Sequence, residues 1–360
     1  MLTVKPKQLE TGCILARDVM AVTNYPIIRK NTVIKDDHLD LLEAFLIEEV
    51  YAERTKVDGT TFQPAEVPEE DDAPQSKDHA FIEQYLQGVQ TYKKHFNSWL
   101  QGANVDVNAI RQMMQPLLEG IVEEPRRALF IHHYCAKEDY IYHHAVATGL
   151  FSAFLGRRLK QSPDVWMQLG VAGALCDSGM SQIDANIFNK QGPLTETEFQ
   201  NVQKHPSHSY NMLRNTQAFD AQFLLGIVQH HEREDGSGYP MGVKSDKIHL
   251  YSRIFAVADV FHALTSERPY REKQSPYRAL HMIANEQFGK FHPSVVHALV
   301  DSLITFSIGS TVRLTNGEEA EVLFVDSSHP AKPTVKMKQT EKVLDLKFEN
   351  NLFITELVAE

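Results

Sequence analysis

Apolar residues recur at three- and four-residue spacing through the middle of the chain, from about residue 79 to about 305. FIEQYLQGVQTYKKHFNSWL, DYIYHHAVATGLFSAFLGRRL, DVWMQLGVAGALC, TETEFQNVQKHPSHSYNML and AQFLLGIVQHH each gather their large side chains on one stripe, which predicts helices. In LTETEF, Thr195 and Glu198 stand three residues apart, the capping-box arrangement that starts a helix. The two ends follow other periods. Over residues 1–54, CILARDVM and YPIIRKNTVI predict short strands, DDHLDLLEAFLI a helix and EEVYAE a closing strand. Past residue 308, STVRLTNGEEAEVLFVD alternates around Asn316-Gly317, a hairpin signal. The stretch 55–78 carries prolines and acids with almost no large apolar residue, which predicts a linker. The expected fold is mainly α: a small α/β unit over 1–54, an acidic linker over 55–78, an all-helical domain over 79–307 and a small β unit over 308–360. No internal repeat is present.

Composition narrows the function classes. A net charge of −11 argues against general binding of a nucleic-acid polymer, which shows a basic footprint, and still permits an anionic small ligand held by a local basic cluster. Cys13, Cys135 and Cys176 are too few and too scattered for a disulfide framework, so a reducing compartment is expected. The start MLTVKPKQLETG has no apolar signal core, and no run of about 18 apolar residues occurs. The expectation is a cytoplasmic protein that is neither secreted nor membrane-spanning. Histidine is the oddity: there are 17, many between His132 and His262.

His144, Asp177, His205, His230, His231 and Asp259 lie on predicted helices where the surrounding pattern is core-like. Buried imidazoles and carboxylates persist when they bind a metal or one another. Nitrogen and carboxylate oxygen together suit Fe, Mn or Zn better than Ca or Mg. A carboxylate can bridge two metals about 3.5–4 Å apart, and such a pair activates water for attack on phosphate. Each residue alone has a blander reading: His144 a satisfied core histidine, Asp259 a salt-bridging residue, His205 before Pro206 a helix bend. The segment HHEREDGSGYP shifts the balance, because it places two histidines, acids and two glycines within eleven residues. Its glycines allow tight turns and close ligand approach, and Tyr239 offers a ring and a hydroxyl. The residues alone therefore point to a helical metallohydrolase.

HHEREDGSGYP resembles the signature of the HD-GYP family, a branch of the HD phosphohydrolase superfamily, and the likeness continues through RIFAVADVFHALTSERPYR. It covers roughly residues 130–300. The resemblance implies an all-helical domain with a two- or three-metal centre that hydrolyses the bacterial second messenger cyclic di-GMP to pGpG or GMP. Carried onto this chain, it makes His144, Asp177, His205, His230, His231 and Asp259 metal ligands, with Asp177 the bridging, catalytic carboxylate. It places Arg268 and Arg271 on the ligand phosphates, where the planar guanidinium fork binds oxygens in pairs, and Tyr239, Gly236 and Gly238 along the nucleotide pocket.

The departures from the family pattern are specific. CDSGM stands where the family has histidine-aspartate, two residues and lysine. Cys176 thus replaces a histidine ligand, either as a thiolate ligand or as a vacancy, and Met180 replaces the lysine. Tyr140 occupies the place of a glutamate that holds a third metal in some members, so two divalent ions (Fe, Mn or Zn) are expected and a third is not. His262 stands for an aspartate common in the family, a change at a nucleotide contact. Two functions follow: a phosphodiesterase, which these changes would weaken, or a domain that binds cyclic di-GMP or a partner protein without cleaving. A metal-stabilised scaffold is the bland third. The N-terminal unit resembles accessory domains that regulate or dimerise, which leaves room for a homodimer and for signalling partner proteins.

Overall fold

The computed structural model describes all residues except 21–25, 46, 48, 65–76, 130, 136–138, 189, 191, 268–272, 287–288, 305 and 360. The chain forms two compact units, Met1–Gln90 and Thr91–Glu360.

In the first unit, β1 (Leu2–Val4) pairs antiparallel with β4 (Val50–Ala52), and β2 (Val19–Met20) with β3 (Pro26–Ile28). Helix α1 (Asp36–Ala44) lies between β3 and β4 in sequence. The core gathers Val4, Leu15, Ile34, Leu42, Val50 and Phe62. Strand β1 is too short to show a period in the sequence, and its register against β4 (Thr3 opposite Tyr51) defines it. The expected linker is shorter at both ends. Thr55 bridges Thr61, and Asp58 Oδ1 accepts from the Thr60 amide and hydroxyl, so a tight turn carries Phe62 into this core. At the other end Lys77 already opens α2 (Lys77–Leu100).

The second unit is mainly α, as the periodicity predicts. After α2 come α3 (Val107–Glu123), α4 (Tyr140–Arg158), α5 (Pro163–Leu175), α6 (Ala185–Phe188), α7 (Glu196–Val202), α8 (His205–Leu213), α9 (Ala221–Val228), α10 (Leu250–Thr265), α11 (Pro276–His281) and α12 (Pro293–Leu303). Helix α4 is buried on every side from Tyr142 to Gly156, as a helix apolar all round must be. It meets α5 backbone to backbone: a Cβ on Gly149 would lie 2.5 Å from the Gly170 carbonyl. Helix α10 packs on α4, with Phe151 and Phe261 edge to face at 5.0 Å between centroids. The Tyr92 hydroxyl of α2 donates to the Ala174 carbonyl at 2.8 Å, near the end of α5.

Two predicted helices differ in detail. TETEFQNVQKHPSHSYNML is split: α7 opens on the Thr195–Glu198 capping box and ends at Val202, and α8 restarts at His205. Pro206 lacks an amide hydrogen and is tolerated only in a first turn, so it fixes the restart. AQFLLGIVQHH is helical to Val228, and His230 and His231 lie in the turn beyond.

The C-terminal segment is a five-stranded antiparallel sheet of order β8-β7-β6-β5-β9, with β5 (Thr311–Leu314), β6 (Glu319–Phe324), β7 (Thr334–Met337), β8 (Val343–Asp345) and β9 (Ile354–Ala359). The β5–β6 hairpin turns at Asn316-Gly317, where Gly317 has φ +83°. The sheet shares a core with the helices through Tyr277 and Phe306.

Candidate metal centre

Asp177 follows the last turn of α5 and precedes a 3-10 turn over Ser178–Gln182. That turn is clamped onto α8. The Gly179 amide donates to Ser209 Oγ at 2.8 Å, and the Ser209 hydroxyl donates to the Cys176 carbonyl. A Cβ on Gly179 would stand 2.2 Å from the His205 carbonyl oxygen and 2.4 Å from the Ser209 nitrogen, so only glycine admits this approach. The clamp brings Asp177 to His205: Asp177 Oδ1 is 3.0 Å from His205 Nε2 and 3.3 Å from His230 Nε2.

Both of those histidines are oriented by main-chain acceptors. His205 Nδ1 lies 2.7 Å from the Val202 carbonyl and His230 Nδ1 lies 2.6 Å from the Ile227 carbonyl. A carbonyl only accepts, so each Nδ1 carries a proton, and each Nε2 is the nitrogen turned toward Asp177. Second-side hydrogen bonds of this kind orient metal-ligating histidines.

Asp177 also closes a second group. Its Oδ2 lies 3.5 Å from His144 Nε2 on α4, and the same nitrogen is 2.8 Å from Asp259 Oδ1 on α10. Asp259 Oδ2 is 3.9 Å from His231 Nδ1. Two donor groups result, one of Asp177, His205, His230 and His231, the other of His144, Asp177 and Asp259, and they share Asp177. Asp177 Oδ1 is buried and makes no hydrogen bond despite its short approach to two imidazoles. A buried carboxylate oxygen facing two imidazole nitrogens is a place that a cation fits.

The electrostatics agree. Burial raises the Asp177 carboxyl, but His205 and His230 outweigh it and hold it well below the usual carboxylate range. Asp259 is likewise held low, with His144 and His231 overcoming burial. Burial, with His230 alongside, pushes the His231 imidazole well below its ordinary value, so it stays neutral and able to ligate.

The loop after α9 is fastened by side chains whose role the sequence did not disclose. Glu232 is buried, and its carboxylate accepts from the Met241 amide at 2.7 Å and the Val243 amide at 3.0 Å. Gln229 donates to the Lys247 carbonyl and accepts from the His249 amide and the Ser252 hydroxyl. Gly238 is packed on main chain: a Cβ there would come within 2.4 Å of the His231 carbonyl and of Glu232 Cα. Gly236 holds a turn at φ +83°. These two glycines shape the loop, and the loop carries Tyr239 onto His231 with ring centroids 4.7 Å apart.

The remaining sequence expectations fare unequally. Cys176 is buried at the end of α5 and is absent from both donor groups. Burial, reinforced by the Asp177 and Asp259 charges, pushes its thiol well up, which favours the neutral thiol over a thiolate ligand. A cysteine also reaches less far than a histidine. His262, which replaces the aspartate of a family nucleotide contact, has no exposed surface; its Nδ1 lies 3.0 Å from His144 Nδ1. The i,i+3 spacing of Asp259 and His262 on α10 was the available signal for that pairing. Tyr140 stacks on His144 at 5.1 Å between centroids. Met180 lies in the 3-10 turn after Asp177. Arg268 and Arg271 lie outside the described residues.

A bundle of helices whose ends and loops aim two carboxylate-linked groups of imidazoles at one place defines a helical metal-binding domain of the phosphohydrolase type. Residues 134–295 match the family model described as HD domain. Over 242 residues the chain is 31% identical to a cyclic di-GMP phosphodiesterase of Pseudomonas aeruginosa, covering 67% of this chain and 58% of that one. It is 39% identical over 163 residues to the cyclic di-GMP phosphodiesterase response regulator RpfG of Xanthomonas campestris, covering 42% and 43%. It is 32% identical over 168 residues to a 3'3'-cGAMP-specific phosphodiesterase of Vibrio cholerae, covering 47% and 36%. The chain thus spans about half the length of the curated relatives it matches. Its fold is similar to that of a HDG"Y"P protein from Bdellovibrio bacteriovorus, with a TM-score of 0.53 over 84% of this chain and 99% of that one at 14% identity. The chain belongs to the HD-GYP family of HD domains. Among the described residues no helix is long and apolar enough to cross a membrane.

Proposed function

We propose that the protein is a metal-dependent phosphodiesterase that hydrolyses cyclic di-GMP to pGpG or GMP. The observation that carries this reading is the sharing of Asp177 between two donor groups, one rich in nitrogen and one rich in oxygen. His205, His230, His231 and Asp177 would hold one divalent ion, and His144, Asp177 and Asp259 the other. Mixed imidazole and carboxylate donors suit Fe, Mn or Zn. Two such ions, when bound, supply a water acidic enough to deprotonate near neutral pH and neutralise charge on the phosphate.

The chain's own residues do the rest. Asp177 fixes the spacing of the two ion positions. Neutral His231 adds a donor without adding charge. Tyr239, beside His231 at the edge of the site, offers a ring on which a guanine base can stack. Arg268 and Arg271 are assigned to the ligand phosphates as bidentate partners. Relatives named for cyclic di-GMP and for cGAMP both support a cyclic dinucleotide as substrate.

One observation favours a second reading, binding without turnover. Cys176 is absent from both donor groups, so the group of His144 has only three described donors, and Met180 supplies no charge beside the phosphate. The test is metal content and turnover on one anaerobic preparation. About two ions per chain with pGpG or GMP formed, and lost in Asp177→Ala, supports the enzyme. Bound metal and bound nucleotide with no product makes the protein a receptor. Neither metal nor nucleotide binding overturns both.

A further inference from the structure

We infer that His262 is a positioning residue for His144, and that it sets how firmly the three-donor group holds its ion. The inference rests on the reading of the two donor groups as metal sites. It starts from an inequality between them. One group contains three imidazoles and Asp177; the other contains His144, Asp177 and Asp259, so His144 is its sole nitrogen among the described residues. The orientation of one ring therefore decides whether that group has a nitrogen donor at all.

The ring is held from behind. His144 Nε2 points at the carboxylates, 2.8 Å from Asp259 Oδ1 and 3.5 Å from Asp177 Oδ2. His144 Nδ1 points at His262 Nδ1, 3.0 Å away. An Nε2 that gives its lone pair to an ion leaves the ring proton on Nδ1. That proton has His262 Nδ1 as acceptor. Ser266 Oγ stands beside the same ring, 3.1 Å from His262 Nε2 and 3.3 Å from its Nδ1, and helps hold it in place. Tyr140 covers both rings, with centroids 5.1 Å from His144 and 6.3 Å from His262, so neither turns freely.

The contrast with the other group sharpens the point. His205 and His230 are oriented by backbone carbonyls, which no side-chain substitution removes. His144 is oriented by a side chain. Its group also has three described donors against four in the other, so the ion at His144 is the more weakly held of the two.

The test is titration of Mn(II) into metal-free full-length protein, with calorimetry and electron paramagnetic resonance counting the sites. His262→Leu keeps the bulk and removes the acceptor; His262→Asn keeps an acceptor near the Nδ1 position. The wild type is expected to bind two ions with unequal affinity. His262→Leu should bind the tight ion unchanged and the weak ion about ten- to a hundredfold less well, the usual cost of losing such a partner. His262→Asn should restore the weak site. The inference is overturned if His262→Leu binds both ions as the wild type does. It is equally overturned if the leucine and asparagine variants weaken both ions alike, which marks a packing role. A wild type that binds no Mn(II) overturns the metal reading itself, before any variant is compared.

Discussion

The Nε2 atoms of His205 and His230 face each other at 3.3 Å while both Nδ1 atoms are held by backbone carbonyls. Both Nε2 atoms also face Asp177 Oδ1, at 3.0 and 3.3 Å. An ion held by these atoms binds the folded chain and not the unfolded one, so it stabilises the fold. Addition of Mn(II) to chelated protein should raise the thermal midpoint, by the equivalent of about 2.7 kcal/mol at a hundred times the dissociation constant. In His205→Ala most of that rise should vanish. Differential scanning calorimetry with and without metal reads both, and an unchanged midpoint on metal addition would count against the centre.

Asp177 belongs to both donor groups, so its loss is not equivalent to the loss of one ligand. Asp177→Ala should release both ions and lower cyclic di-GMP hydrolysis by about a thousandfold or more, roughly 4 kcal/mol of barrier. His231→Ala should remove one ion and leave measurable binding of the other. Metal analysis beside single-turnover assays separates the two outcomes.

Gly179→Ala forces a methyl group into the main chain of α8 at the His205 carbonyl. Overpacking against backbone costs about 1–3 kcal/mol. The α8–Asp177 clamp should open, so the variant should lose metal affinity as well as stability. Chemical denaturation and metal titration on the same sample check this. A variant that is less stable but binds metal normally would show that the clamp does not position Asp177.

Glu232→Ala leaves the Met241 and Val243 amides without their acceptor. Hydrogen bonds to a charged acceptor contribute about 1.5–3 kcal/mol. Because the amides that Glu232 holds follow Tyr239 and lie nine and eleven residues on, while His230 is oriented by the Ile227 carbonyl, the expected signature is a raised KM for the nucleotide with two ions still bound. Steady-state kinetics and metal counting read it.

Acid should destabilise the metal-free protein through His143. Burial pushes this imidazole from 6.5 down to about 4, with Asp139 opposing and Lys93 adding to the shift. Its folded pKa lies below its unfolded one, so between those values the unfolded chain binds more protons. Stability should be level above pH about 6.5 and fall as the pH drops toward 4. Asp177 and Asp259 are also depressed, and their contribution is lost only at lower pH. Urea midpoints at pH 7.5, 6 and 5 should fall in order, with a shallower slope in His143→Asn. Equal midpoints across that range would refute this.

The helices and the residues of the two donor groups were legible because they depend on local pattern and on residue type. The apolar stripes of α4, α5 and α10 carry His144, the end of α5 and Asp259 to their places, and a buried carboxylate in such a stripe demands a partner. What could not be read were relationships across the chain. Ser209 holds the Asp177 turn from a helix thirty residues away, and Glu232 serves amides nine and eleven residues on. Cys176 was open as a substitute ligand or a vacancy, because whether a thiol reaches the donor groups depends on a side-chain vector that one-dimensional adjacency does not contain. His262 could be read only as a replacement for the family's aspartate, and the packing of α10 on α4 turns it inward to His144.

The glycine contact between α4 and α5 bears on which ions are accepted. His144 and Asp177 sit one to two turns from the place where the Gly149 and Gly170 backbones touch. At that point main chain lies against main chain, with only the tip of Met114 and the Ala174 methyl beside it. An ion that His144 and Asp177 held together would have to fit a spacing that these two helices resist widening. Calcium, with ligand distances of about 2.3–2.6 Å, would ask more of them than zinc, at about 2.0–2.2 Å to nitrogen and oxygen. The pair of helices would then act as a calliper set to a small gauge.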